Sequence, residues 1–204
     1  MSFKTPKVHN PELREVVKQQ TCTLLNWAVP AADDDYFKTS TALAAQTTTL
    51  LAASMTKSCA IDVPVVPVLI VTNDKASGEE SWTSVSATFV GINKFGDRMG
   101  ETVAGVNVGD VWTATANNAY ATLVSVAFTV AGGTACDGSD SYIIGFAKTF
   151  GLGVNIRASG DVLIHNLNLA TDAGTVDAQY NTYKFAGTPN GTLIGSLWVR
   201  SSAY

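Results

Sequence analysis

Charged residues make up only 15% of this 204-residue chain, against about 25% in an average globular domain. Thr, Ala, Val, Ser and Gly take their place. A surface this thin in charge suits a protein that ends packed against copies of itself or against a partner. The basic residues are scattered and the net charge is −4. A nucleic-acid partner, whose phosphates demand clustered Lys and Arg, is therefore not expected. No apolar run approaches the roughly 18 residues that cross a bilayer as a helix, and the longest, Val63 to Val71, holds two prolines. No apolar leader follows Lys4 and Lys7, only the charged, proline-broken HNPELREVVKQQ. Neither membrane insertion nor an N-terminal export signal is expected. Cys22, Cys59 and Cys136 form an odd, widely spaced set without a CxxC pair. They read as small buried hydrophobes in a protein made in a reducing cytoplasm.

Reaction chemistry is equally sparse. The two histidines, His9 and His165, sit in unrelated contexts, far from the ligand spacing of a zinc site. No GxSxG elbow appears, and Gly151-Leu152-Gly153 lacks the third glycine and βαβ frame of a dinucleotide site. Glu79-Glu80 beside Trp82, and Asp97 near Glu101, border turns and read as solvated rims. Asp33-Asp34-Asp35 lacks the spaced ligands and glycine turn of a calcium loop, and Asp137-Gly138-Ser139-Asp140 reads first as a turn. The expectation is a protein that is not an enzyme, with no catalytic residue, no cofactor and no metal.

What is present is strand grammar. Thr83, Val85, Ala87 and Phe89 alternate with Ser84, Ser86 and Thr88, the period-two mark of a strand with one buried face. Val68 to Val71 follows Pro64 and Pro67; prolines cannot donate to a ladder, so these two are placed at a strand's start or on an edge. Ser40 to Met55 reads as strand with loop. Further strands are expected over 111–115, 121–130, 142–146, 162–169, 180–185 and 193–199. Asn117-Asn118, Gly132-Gly133, Asp137-Gly138, Asp172-Ala173-Gly174 and Pro189-Asn190-Gly191 punctuate them. No long helix alternates with these strands, which excludes a doubly wound parallel sheet. The fold expected is all-β, an antiparallel β-sandwich of jelly-roll-like type over residues 41–204. A chain this long buries roughly 70% of its unfolded surface and needs no disulfide or metal staple.

Residues 1–40 are expected to form an N-terminal arm. Asn10-Pro11-Glu12 has the order of a helix cap, first-turn proline and acidic first turn, which places a short helix over 11–25. Ala31 to Lys38 reads as a loop. Trp27, Tyr36 and Phe37 are the arm's candidate intermolecular contacts, so deleting residues 1–38 is expected to leave a folded protein that no longer binds its partner.

Several segments, in order, resemble a family of tailed-bacteriophage virion proteins. They are Asp62-Val63-Pro64 leading into Val68 to Thr72; Phe89-Val90-Gly91-Ile92-Asn93-Lys94-Phe95-Gly96-Asp97 ending in Glu101; Ala127-Phe128; Ser139 to Phe146 running into Phe150-Gly151-Leu152; and Gly187-Thr188-Pro189-Asn190-Gly191. The resemblance spans residues 60 to 200 and is carried by order and spacing, since most of its pieces are turn signals. It implies a β-sandwich decoration or cement protein of the capsid surface, made in the host cytoplasm and located in the virion. Its partners would be the major capsid protein and its own copies, most simply as a homotrimer. Multivalent contact then turns a modest patch into firm attachment. The alternative is a tail, fibre or other virion component with carbohydrate- or host-binding loops, for which Trp82, Trp112 and Trp198 would supply stacking faces. A glycan-processing jelly roll would need a carboxylate pair roughly 5–9.5 Å apart in a cleft.

Overall fold

The structure, a computed structural model, describes residues 21–75, 82–133, 136–152, 154–168 and 170–201. Among the described residues the regular secondary structure is all strand apart from two single 3₁₀ turns. The strands are β1 (Thr21–Ala28), β2 (Asp33–Ala42), β3 (Thr47–Leu51), β4 (Ala60–Thr72) and β5 (Ser84–Ile92). Then come β6 (Arg98–Ala104), β7 (Val106–Val108), β8 (Val111–Thr115), β9 (Tyr120–Ala131) and β10 (Ser141–Gly151). The last are β11 (Val162–Leu167), β12 (Ala170–Thr171), β13 (Thr175–Asp177), β14 (Thr182–Lys184) and β15 (Ile194–Ser201). Each ladder between them is antiparallel.

Eleven strands form one sheet that curls over itself because two long strands change neighbours along their length. One side of β4 pairs with β9 at Ala60 and Val65, then with β8 from Val68 to Thr72. One side of β10 pairs with β2 over its first half and with β14 at its end. The result is sandwich-like: a layer β7-β8-β4-β10-β2 faces a layer β6-β5-β9-β3. The chain steps between layers at residues 43–46 and at Gly105, whose N–H donates to the Val85 carbonyl. A second, four-stranded sheet, β1-β15-β11-β12, packs Leu197 and Val199 into the same core.

Alternation explains the packing. In β5, Val85, Ala87 and Phe89 are buried while Ser84 and Ser86 are exposed. These buried side chains share one core with Leu69 and Val71 of β4, Trp112 and Ala114 of β8 and Ile144 of β10. The all-β sandwich expected from the sequence is the observed fold class, with an additional small sheet.

Three local expectations differ. Pro64 and Pro67 lie buried inside the 13-residue β4, at neither its start nor an edge. They stand where β4 trades β9 for β8, a break in the ladder where a missing N–H costs little. The expected helix over 11–25 lies outside the described residues up to 20, and from Thr21 onward the chain is β1, laddered to β15. There the β-branched Thr21 and Thr23 find a strand partner, and tertiary pairing overrides the capping pattern. Residues 33–38, read as loop and arm, run in β2 against β10, because a free side of β10 supplies backbone partners that a loop would have to seek in water.

Candidate functional site

β2 carries two of the three residues singled out as contacts. Ile144 of β10 opposes Lys38 and Phe146 opposes Asp33, so residues 34–37 bulge out of the ladder. The bulge rests on Gly145, where an added Cβ would collide with the Asp33 carbonyl and the Asp34 backbone. It turns Phe37 inward until it is 1% exposed. Tyr36 stays half-buried, edge-on to Phe37 and to Phe146 at 5.2 Å each, with the Lys57 ammonium 4.7 Å from its ring centre. Phe37 is therefore a core residue with no surface to offer a partner. A wide bulge can bury two successive side chains that a regular strand would point to opposite faces. Trp27 lies in β1 opposite Gly195, and its side chain is outside the described residues. Trp82 and Trp112 are buried core residues, leaving Trp198 exposed on β15.

The acidic residues are occupied in holding loops. Asp33 is bridged by Lys57 at 3.5 Å. Asp137 accepts the Ser139 N–H and hydroxyl within its turn. Glu101 accepts the N–H groups of Asn117 and Asn118 and the Tyr120 hydroxyl, closing the β8–β9 loop. Asp140 is buried and accepts the Asp74 N–H; burial pushes its carboxyl above the ordinary value. Asp172 is buried too, yet its carboxyl is held below the ordinary value. Burial alone would raise it, but the Gly187 N–H, the Tyr183 hydroxyl and the N–H groups of Ala186 and Gly174 outweigh that. Both shifts are explained by folding contacts. Among the described residues, no three His, Cys, Asp or Glu side chains gather as a metal-binding group. Cys59 and Cys136 are buried, and burial raises the Cys59 pKa. The Cys22 and His165 side chains, His9, and Glu79-Glu80 lie outside the described residues.

Compared with protein-family models, with curated proteins and with solved structures, the chain matches none.

Two surface features stand out. The first is the outer face of the β7-β8-β4-β10 layer. Val106 lies opposite Thr113, Thr113 opposite Ile70, and Ile70 opposite Ile143, one unbroken cross-strand row. The adjoining row runs Val108, Val111, Thr72, Ser141. Neither row holds a charge. At its β7 end the face is open: Val106 is 67% exposed, Val108 77% and Val111 37%. Trp112, on the opposite side of the same ribbon, is buried and pins the hairpin to the core. The strand β7 was missed from the sequence, although Val106 to Val111 carries a signal: alternating valines around Gly109-Asp110, with Gly109 at φ 69°.

The second feature is a cleft of about 280 Å³ where the β5–β6 loop, the β8–β9 loop, the end of β10 and the β13–β14 turn meet. Asn93 shapes its rim. Its Oδ1 accepts the N–H groups of Phe95 and Asp97 at 2.8 and 2.9 Å, which leaves the Phe95 ring 52% exposed. Opposite, Asn181 adopts φ 56°, and its Oδ1 accepts the Ile156 N–H. Among the described residues that line it, Asp97 is the one acid, so no carboxylate pair is seen there.

Proposed function

We propose that this protein is a non-enzymatic structural component of a tailed-phage virion, decorating and stabilising the capsid surface through multivalent contacts. The observation that carries the reading is the uncharged outer face of β7-β8-β4-β10, with Val106, Val108 and Val111 exposed at its β7 end. An exposed hydrophobic strand edge invites association with another chain, and a cluster of exposed valines is the kind of surface that marks protein–protein contact. The low charge of the whole chain and the ordered resemblance over residues 60 to 200 point the same way. The face docks on the major capsid protein, and copies also touch each other, most simply as a trimer. Repetition of the patch over a shell makes attachment firm by effective concentration, and binding to the expanded shell alone would stabilise that state by mass action.

The test is Val108→Lys. Its side chain points to solvent, so stability should change by less than about 0.5 kcal/mol, while co-sedimentation with purified heads should be lost. Binding equal to the wild type would overturn the face as the contact. A companion variant lacking residues 1–20, which keeps every described strand, should still bind; loss of binding there would return the contact to the N-terminal segment.

A further inference from the structure

We propose that the cleft beside Phe95 binds a neutral saccharide. Its floor is apolar, made by Pro64, Ala119 and Leu152, and all three are buried. Its walls carry the side-chain amides of Asn118, Asn155, Gln179 and Asn181. Asn181 is engaged with Leu152, Asn155 and Ile156, but the Asn118 and Gln179 amides each carry donors and an acceptor, the same pairing that a sugar hydroxyl presents. Phe95 and Tyr180 stand among the lining residues, and an aromatic face is the surface on which the C–H side of a pyranose packs. Lys94 and Asp97 contribute one charge of each sign, so the cleft has no net attraction for a phosphate or another anion. The volume of about 280 Å³ falls just below the roughly 300–1,000 Å³ of drug-sized sites, which suits a single sugar ring with its neighbours outside.

The site is also built in advance. Asn93 fixes Phe95, Asn181 ties Leu152 and Ile156 to the β13–β14 turn, and Glu101 clamps the backbone of Asn117 and Asn118. Rigid loops lower the ordering cost of binding. Within this frame the Asn118 and Gln179 side chains make no hydrogen bond among the described residues, and both line the cleft. These two amides and the exposed Phe95 ring are lining groups that a ligand could engage without breaking a contact of the fold. The inference stands whether or not the protein decorates a shell, because it concerns different residues.

The experiment is a titration of the ¹⁵N-labelled full chain with the methyl glycosides of glucose, galactose, mannose and N-acetylglucosamine, with glucuronic acid as the charged comparison. At least one neutral glycoside should shift the amides of Phe95, Asn118, Gln179 and Tyr180. Phe95→Ala should weaken that binding about tenfold while leaving the remaining spectrum in place. Gln179→Ala, on an exposed turn, serves as the second variant if F95A does not fold. The proposal is overturned if no neutral glycoside perturbs these residues at high millimolar concentration. It is equally overturned if only the acid binds, or if the folded variants bind as the wild type does.

Discussion

Asp172 is a hydrogen-bonding hub among the described loops. Its carboxylate accepts the Tyr183 hydroxyl at 2.7 Å, the Gly187 N–H at 2.8 Å, and the Gly174 and Ala186 N–H groups at 3.0 and 3.1 Å. These bonds stitch the turn after β12 to the segment after β14, next to the Tyr183–Phe185 ring pair in the core. Because its folded pKa lies below the ordinary value, the stability it contributes is present above the unfolded pKa and is lost as pH falls through the folded one. Asp172→Asn should cost about 1–3 kcal/mol at neutral pH, since a charge-accepting hub becomes a half-mismatched amide. In urea melts the gap from the wild type should narrow below about pH 4. A gap of constant size down to acid pH would show that the charge plays no part.

At the scale of elements, β10 and β4 decide the architecture because each serves different neighbours at its two ends. Gly145 is the position on which this depends. β2 can bulge over β10 only where β10 has no side chain, since a Cβ there would meet the Asp33 and Asp34 backbone. Gly145→Ala should therefore push β2 outward, at a cost of about 1–3 kcal/mol by overpacking. The ring cluster of Tyr36, Phe37 and Phe146 should loosen with it, and near-ultraviolet circular dichroism reads that directly. An unchanged aromatic signal would show that the bulge adapts without disturbing the rings. β2 also illustrates how a strand edge is protected: Asp34 and Asp35 are exposed along it, and charge on an edge discourages pairing with a further strand. β7 at the opposite end of the layer, Val106–Val108, carries no charge, which is the ground on which it is proposed as a contact.

For the whole molecule, the boundary between body and N-terminal segment falls earlier than residue 40. β1 covers part of the core through the small sheet, and β2 inserts Phe37 into it. Removal of residues 1–38 should therefore abolish cooperative unfolding, whereas removal of residues 1–20 should leave the melting transition in place. Thermal denaturation of the two truncations separates the outcomes. A cooperative transition in the longer deletion would mean that the layers hold without β1 and β2.

Period-two alternation and turn residues made the class of fold legible from the chain alone. Val85, Ala87 and Phe89 point inward as their spacing requires, and the strands expected over 111–115, 121–130 and 193–199 match β8, β9 and β15 within two residues at each end. These signals are local, and each strand carries its own. Long-range pairing decided the rest. A proline reads as a strand start until a neighbour exchange inside β4 makes room for it. Phe37 reads as a surface aromatic until a glycine more than a hundred positions away lets its strand bulge inward. The Val106–Ile143 row and the Phe95 cleft each join segments far apart in the chain. Alternation says which residues share a face; only the ladders, which close loops of many residues, say what lies beside that face and whether anything covers it.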